Sequence, residues 1–293
     1  MIQSCQPEGM VEDPSKMASP PLRKGGKRRR KYDGLFERLL PRTASVIDSS
    51  SMVADLPSTT KHLLEEYIKD RSPGSAEVAD ILMHVSSAHP THLRTKELCE
   101  TLEAVTLIGS DINRILQKHP ERRTDGRFTI YDLACGHSLA GVLLAYRFPT
   151  VNVVCIDRER RDCWTSYVEA FEELGEKSKG SATVLSNLSH EEGDAFSVRP
   201  GEGDYLMMLH GCNELSPHTL ELARQNGCNY AIMPCCLRDG LLGVQTDSGN
   251  RNWGIDDSTR YAVQVGYLAG RYSCGKIAAI SSQITNRYLI VFA

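Results

Sequence analysis

Apolar and polar residues follow two different patterns along this chain. Between residues 32 and 120 the apolar side chains recur every three or four positions, which is the spacing of one buried helix face. The longest such run comprises Leu98, Leu102, Val105, Ile108, Ile112 and Leu116. The pattern predicts a helical N-terminal region over residues 32–120.

From Phe128 onward, short apolar runs alternate with segments of helical spacing, which is typical of a parallel sheet whose strands are joined by helices. Strands are predicted near residues 128–134, 152–156, 182–186, 204–210 and 229–235, and helices near residues 139–147, 160–174, 216–226 and 258–271. The last two apolar runs, 276–284 and 288–292, are separated by three polar residues, too few for a parallel crossover. Residues 121–293 are therefore predicted to form an α/β domain with a mostly parallel, Rossmann-like sheet that ends in an antiparallel hairpin.

Residues 1–31 contain prolines, serines and basic residues and almost nothing apolar to bury, so we expect a disordered basic tail. The whole chain has a formal net charge of −3, yet the segment from 23 to 31 carries the cations Arg23, Lys24, Lys27, Arg28, Arg29, Arg30 and Lys31. Such a run attracts polyanions and favours RNA as a partner. A nuclear address signal and a solvated tail with no specific role are the alternatives.

Composition restricts the class of protein further. The chain has no run of about 18 apolar residues and no apolar signal-peptide core, so we expect no membrane contact and an intracellular location, in the cytoplasm, the nucleus or an organelle. Its ten cysteines lack the spacing of a disulfide framework, which favours reduced thiols. No C-x-x-C motif occurs, and we predict no structural metal site.

The stretch from residue 128 to 157 predicts a strand, a tight turn, a helix and a second strand that ends in an acid. Asp132 closes the first strand, Ala134, Gly136 and Gly141 supply small residues, and Asp157 closes the second strand. Small residues let backbone N–H groups and a helix N-terminus approach a ligand, and the final acid is placed to accept ribose hydroxyls. The layout predicts a nucleotide-cofactor site.

The sequence of the turn indicates which nucleotide cofactor to expect. A dinucleotide site needs G-x-G-x-x-G, but Ser138 stands at the second glycine position, and no G-x-x-x-x-G-K-[ST] loop for ATP occurs. The looser pattern D-x-x-x-G-x-x-x-x-G fits S-adenosyl-L-methionine (SAM), which has an amino-acid tail in place of a pyrophosphate. Further residues expected at the cofactor are Cys135, Arg158, Asp194 and Ala195.

Polar residues after the fourth and fifth strands should face the methyl acceptor, because ligands of open α/β sheets bind at the carboxyl ends of the strands. His210 and Asn213 follow the fourth strand and could orient or deprotonate a hydroxyl or amine. In the alternative interpretation Asn213 or Ser216 only caps the next helix and His210 is a satisfied polar group.

Cys235 and Cys236 follow the fifth strand, with Arg238 close behind. Four roles remain open for the pair. The thiols could line the cofactor pocket, or shape an acceptor pocket in which Arg238 holds a phosphate or carboxylate. They could bind a metal together with Cys212 and His210, or one thiolate could add to a pyrimidine ring before carbon methylation.

Four segments carry a resemblance to a known family: IYDLACGHSLAG, VVCIDRE, LHGCNELSPHTLELA and MPCCLRDG. They resemble class I SAM-dependent methyltransferases, in particular methyltransferase-like proteins and zinc-finger tRNA 2′-O-methyltransferases with a Cys-Cys pair after strand five. The resemblance covers residues 128–293 and implies the class I fold and SAM as cofactor. The chain departs from the tRNA enzymes in lacking their upstream zinc modules and in having Leu237 and Arg238 where a histidine often follows the pair.

These observations together predict a SAM-dependent methyltransferase that acts on RNA, either tRNA or rRNA. Catalysis would consist mainly of holding an acceptor atom in line with the sulfonium methyl group. The alternatives are a non-catalytic RNA-binding or assembly factor that retains the fold, and a methyltransferase for a protein or a small molecule.

Overall fold

The computed structural model describes residues 32–41, 44–72, 77–123, 128–175, 184–236 and 256–293. The basic segment 23–31 and Arg238 lie outside these residues. The N-terminal part contains four α-helices in the described residues: α1 (Asp33–Leu39), α2 (Ser58–Arg71), α3 (Glu77–Ala88) and α4 (Thr95–Lys118). The apolar stripe recognised in the sequence is the buried face of α4, the longest of these helices.

Seven strands and four further helices follow within the described residues. In chain order they are β1 (Thr129–Leu133), α5 (Leu139–Arg147), β2 (Asn152–Asp157), α6 (Asp162–Leu174), β3 (Leu188–Glu192), β4 (Tyr205–Gly211), α7 (Leu215–Asn226), β5 (Asn229–Pro234), α8 (Asp257–Arg271), β6 (Lys276–Ala279) and β7 (Leu289–Phe292).

The strands form one sheet in the order β3-β2-β1-β4-β5-β7-β6. β1 to β5 run parallel, and β7 is antiparallel to both of its neighbours, β5 and β6. The predicted α/β fold, a mostly parallel, Rossmann-like sheet with a C-terminal antiparallel hairpin, is confirmed. Strand order reverses between β1 and β4, so the carboxyl ends of these strands border a crevice suited to a ligand.

The prediction of a strand near residues 182–186 is wrong. Residues 184–187 form a turn, and the third strand is Leu188–Glu192. Val184 and Leu185 are buried, but their backbone N–H groups donate to the Glu172 carboxylate at 2.9 Å instead of to a neighbouring strand. β3 itself is an edge strand with mostly polar, exposed side chains, so hydrophobicity does not mark it.

The N-terminal helices and one face of the sheet share a continuous apolar core, whereas α7 and α8 cover the other face. Two buried contacts anchor α4 to the sheet layer. The Tyr205 hydroxyl donates to Asp111 at 3.1 Å, and the Arg147 guanidinium donates to the Val105 carbonyl at 3.3 Å. These contacts hold α4 against the amino end of β4 and against α5, and the N-terminal part of α4 reaches the carboxyl end of β4, where Glu100 lies 3.2 Å from His210.

Among the described residues, none of the helices combines the length and the apolar character required to cross a membrane.

Candidate active site

The turn after β1 adopts left-handed backbone conformations at three positions. The φ angle is +54° at Ala134, +56° at Gly136 and +62° at Ser138. A Cβ added to Gly136 would meet no atom within 4 Å, so the turn borders open space at this point. Left-handed non-glycine residues cost about 1–3 kcal/mol each and concentrate at ligand sites. The turn therefore has the geometry of a ligand loop and not of a tightly packed connection.

Asp157 at the end of β2 supports this turn. Its Oδ2 accepts a hydrogen bond from the Gly136 N–H at 2.8 Å, and its Oδ1 accepts one from the Arg158 N–H at 2.8 Å. The carboxylate is half-buried and lies at the carboxyl edge of the sheet. The predicted glycine turn and the predicted ribose acid are thus in direct contact.

Asp194 and Ala195 lie next to this carboxylate along the sheet edge. The Arg158 guanidinium donates to the Asp194 carboxylate at 3.4 Å, with both side chains largely exposed. Asp194 also accepts from the Phe196 N–H at 3.0 Å and caps the short 3-10 helix Ala195–Ser197. Asp194 therefore has a local structural role besides the adenine contact expected of it.

Asp132 is buried beneath the turn. Its Oδ2 accepts from the Gly141 N–H at 3.2 Å, and a Cβ on Gly141 would overlap the Cys155 sulfur, so only glycine fits there. Burial raises the pKa of Asp132 from 3.8 to about 7, and the nearby charge of Asp157 raises it too, against the Gly141 hydrogen bond. Asp132 consequently joins β1 to α5 and titrates near neutral pH.

Asp132→Asn should make the protein's stability less dependent on pH. The folded-state pKa lies above the unfolded one, so the stabilising proton is fully present below pH 3.8 and lost as the pH rises through about 7. An amide keeps an oxygen for Gly141 and cannot ionise. We expect the variant to gain stability relative to wild type between pH 5 and 8, by up to about 3 kcal/mol. Urea unfolding at both pH values measures the difference.

The exposed Asp55→Asn variant is the control, and its free energy of unfolding should change with pH as that of wild type does. The same behaviour in Asp132→Asn would show that the pKa of Asp132 is not raised by folding.

A cavity of about 170 Å³ lies between the glycine turn, α4 and the end of β4. Its walls include Glu97, Glu100, Asp132, Cys135, His137 and His210. A larger groove of about 640 Å³ opens over β1 to β3 on the other sheet face, but it extends to the amino ends of these strands and to Asn152. The smaller cavity lies where open α/β sheets bind ligands.

Two glutamates of α4 face histidines across this cavity. Glu97 lies 2.8 Å from His137 Nε2, and Glu100 lies 3.2 Å from His210 Nε2. Glu100 is only 2% exposed and also contacts Lys96 at 3.1 Å. Burial alone would raise the pKa of Glu100, but the hydrogen bond and charge of His210, together with Lys96, lower it. Sequence reasoning missed both glutamates, because acids three residues apart on a helix are typical of a solvated face.

His210 lies at an irregularity where β4 ends. The register between β4 and β5 shifts between Leu209 and Gly211, and φ is +65° at His210 and +50° at Asn213. The Asn213 N–H donates to the Cys236 carbonyl at 2.8 Å and joins the two strand ends. The N-cap residue of α7 is Glu214, whose side chain makes no capping hydrogen bond, and the Ser216 hydroxyl donates to the Gly211 carbonyl at 2.7 Å. The contact of His210 with Glu100 agrees with the part of the alternative interpretation in which this histidine is a satisfied polar group.

The cysteines after β4 and β5 form a cluster. Cys212 Sγ lies 2.8 Å from Cys235 Sγ, and the sulfur atoms of Cys212, Cys235 and Cys236 all lie within 4.8 Å of one another. Cys235 is buried and Cys236 is exposed. Burial raises the pKa of Cys212 and of Cys235, and the neighbouring thiols add to the shift at Cys235.

The chain is similar in part to several solved methyltransferases. A SAM-dependent methyltransferase from Aquifex aeolicus has 16% identity, covering 57% of this chain and 81% of that protein, with a TM-score of 0.34. The 16S rRNA methyltransferase KamB has 16% identity over 59% of this chain and 90% of its own, with a TM-score of 0.35. An O-methyltransferase family protein from Burkholderia thailandensis has 17% identity over 88% and 75%, with a TM-score of 0.36.

No curated protein matches the sequence. Residues 99–239, slightly less than half of the chain, match a protein-family model described as a methyltransferase domain. The match begins inside α4 and ends just after β5, so it contains Glu100, the glycine turn, Asp157, His210 and the cysteine pair. The chain therefore has a Rossmann-like α/β fold in which residues 99–239 are similar to a methyltransferase domain.

Proposed function

We propose that the protein is a SAM-dependent methyltransferase that acts on RNA. The observation that carries the proposal is the contact between the left-handed glycine turn and Asp157 at the carboxyl edge of the sheet, 2.8 Å from Gly136 N to Asp157 Oδ2. SAM combines a ribose diol, which needs an acid acceptor, with a cationic sulfonium and an ammonium group. The adjoining cavity carries Glu97 and Glu100, so the charge of its lining fits such a cation.

The cofactor would be held by residues at the carboxyl ends of β1, β2 and β3 and by the turn between β1 and α5. Asp157 would accept from the ribose hydroxyls, the turn backbone would approach the amino-acid tail, and Asp194 would face the adenine. The full set is Asp132, Ala134, Cys135, Gly136, Gly141, Asp157, Arg158, Asp194 and Ala195. Bound SAM supplies an activated methyl group, so the chain has only to bind and orient the reactants and exclude water.

The acceptor would bind beyond the ends of β4 and β5, where His210, Asn213, Cys235 and Cys236 lie, and Arg238 would extend this surface. His210 Nε2 is held 3.2 Å from the buried Glu100, which fixes the ring at the cavity wall. A histidine held in this way can take a proton from an acceptor hydroxyl or amine as the methyl group is transferred.

RNA as the substrate is supported by charge. The whole chain is close to neutral, yet residues 23–31 carry seven cations, which would bind phosphates through counterion release. A basic segment can hold an RNA by its phosphates while another nucleotide of the same RNA reaches the cofactor.

The full chain should transfer labelled methyl groups from SAM to total cellular RNA, with label that ribonuclease removes. Replacing the seven cations of residues 23–31 by glutamine should weaken RNA binding by about 10-fold or more at 150 mM salt and reduce the salt dependence of binding. Ribonuclease-insensitive label in extracts would instead indicate a protein or small-molecule acceptor. SAM binding without any transfer, combined with loss of RNA affinity in the glutamine variant, would indicate a non-catalytic RNA-binding factor.

A further inference from the structure

Three thiols converge at the carboxyl ends of β4 and β5. Cys212 follows β4, whereas Cys235 and Cys236 follow β5 directly, and the two strands are parallel neighbours in the sheet. Their sulfur atoms all lie within 4.8 Å of one another. Among the described residues no other group of histidine, cysteine and acidic side chains converges in this way.

The three sulfur atoms are close enough together to share one metal ion. A tetrahedral zinc ion has Zn–S distances of about 2.3 Å, which places its sulfur ligands about 3.8 Å apart. The 2.8 Å from Cys212 Sγ to Cys235 Sγ is about 1 Å shorter than this value, and the other two sulfur–sulfur distances are no longer than 4.8 Å. Modest side-chain rotations would therefore bring all three sulfurs to ligand positions around one ion.

Backbone contacts hold the cluster in place. The Asn213 N–H donates to the Cys236 carbonyl at 2.8 Å, and the Cys235 sulfhydryl donates to the His210 carbonyl at 3.4 Å. The buried Ser216 hydroxyl donates to the Gly211 carbonyl at 2.7 Å. Both loops are thus tied to each other and to α7, so the backbone that carries the three cysteines is fixed before an ion arrives.

We propose that Cys212, Cys235 and Cys236 bind one thiophilic metal ion of the zinc class. Thiolates select soft or borderline ions over magnesium and calcium, which prefer oxygen ligands. The usual hook motif is absent from the sequence because two of the ligands are adjacent residues of one loop. His210, considered from the sequence as a further ligand, directs Nε2 to Glu100 instead.

The described residues supply three protein ligands, which is the number found in zinc sites that keep an exchangeable position. The exposed Cys236 places that position on the solvent side of the cluster, on the side proposed for the acceptor. A metal ion there would offer a positive charge to an acceptor oxygen, nitrogen or sulfur atom.

Metal binding to the reduced full-length protein tests the proposal. We expect one equivalent of Zn²⁺ in competition with a chromophoric chelator, and thiolate-to-metal absorption when Cd²⁺ is used as the probe. Cys236→Ser should weaken Zn²⁺ binding by about 100-fold or more and reduce the Cd²⁺ absorption. Cys236 is exposed, so this variant should fold; Cys274→Ser, at the turn between α8 and β6, is the matched control and should bind like wild type.

Absence of Zn²⁺ binding and of Cd²⁺ absorption in the wild-type protein would overturn the proposal, as would equal affinity in Cys236→Ser. A Cys212–Cys235 disulfide that persists in the reduced protein, detected by mass spectrometry, would also overturn it. The readout involves neither SAM nor methyl transfer, so this proposal and the proposed function can fail separately.

Discussion

Asp157→Ala should weaken SAM binding by about 1000-fold or more. The variant removes the acceptor of two charge-assisted hydrogen bonds to the ribose, each contributing about 2 kcal/mol, and a loss of about 4 kcal/mol corresponds to roughly three orders of magnitude in Kd. It also removes the partner of the Gly136 N–H, so the glycine turn loses its support. Isothermal titration calorimetry with SAM measures the change directly.

A second variant separates the two contributions at Asp157. Asp157→Asn keeps one side-chain oxygen for Gly136 but removes the charge and one acceptor, so its SAM affinity should lie between wild type and Asp157→Ala. Asp162→Asn, an exposed substitution at the start of α6, changes the net charge equally and should leave Kd unchanged. Wild-type affinity in a folded Asp157→Ala protein would remove this residue from the cofactor site.

The periodicity of apolar residues predicts the helices and strands well where one face or both faces of the element are buried. α5 follows the predicted range 139–147, and β1, β2, β4 and β5 lie within a residue or so of their predicted ranges. One exception is β3, whose position at the sheet edge permits polar side chains on both faces. The apolar Val184 and Leu185 beside it are buried by a turn that Glu172 caps, a contact that depends on the tertiary structure. Another exception is β6, which ends at Ala279 although the predicted run continues to residue 284, because Ile280 and Ile284 are buried in the core outside the strand.

The sequence predicts that the glycine turn and Asp157 lie in one site, but it does not predict that acidic residues of α4 line the same cavity. The strand–turn–helix–strand pattern of residues 128–157 predicts that Gly136 and Asp157 contact the same ligand, and in the structure the two residues are hydrogen-bonded. Glu97 and Glu100 belong to a helix more than 30 residues upstream of the turn, and no local pattern shows that its acidic positions face the cavity. Backbone strain at Ala134, Ser138 and His210 was equally hidden, because none of them is a glycine.

α4 therefore contributes both to the core and to the candidate site, two roles that the sequence patterns indicate for separate parts of the chain. Its apolar stripe is part of the core shared with the sheet, and its acidic positions line the cavity. The family model also begins within this helix, at residue 99. The helical region is consequently a source of site residues as well as a support for the sheet.

The contact between Glu100 and His210 leads to a specific prediction about catalysis. His210→Ala should lower kcat for methyl transfer to RNA by about 100-fold to 1000-fold, the usual range for a lost proton acceptor. Glu100 contacts the ring but lies too deep, at 2% exposure, to meet a large acceptor, so it should act as a positioning residue. Glu100→Gln should therefore lower kcat, measured at saturating SAM, by about 10-fold to 100-fold, with KM for RNA nearly unchanged.

The double variant distinguishes positioning from a merely structural role. If Glu100 acts through His210, Glu100→Gln should cost almost nothing further in kcat once His210 is alanine, because the group it orients is gone. Glu103→Gln is the matched control, since Glu103 lies on the same helix but binds Tyr67 at 2.8 Å and Arg71 at 3.1 Å, away from the cavity. Fully additive losses, or an unchanged kcat in a folded His210→Ala protein, would show that proton transfer does not pass through this histidine.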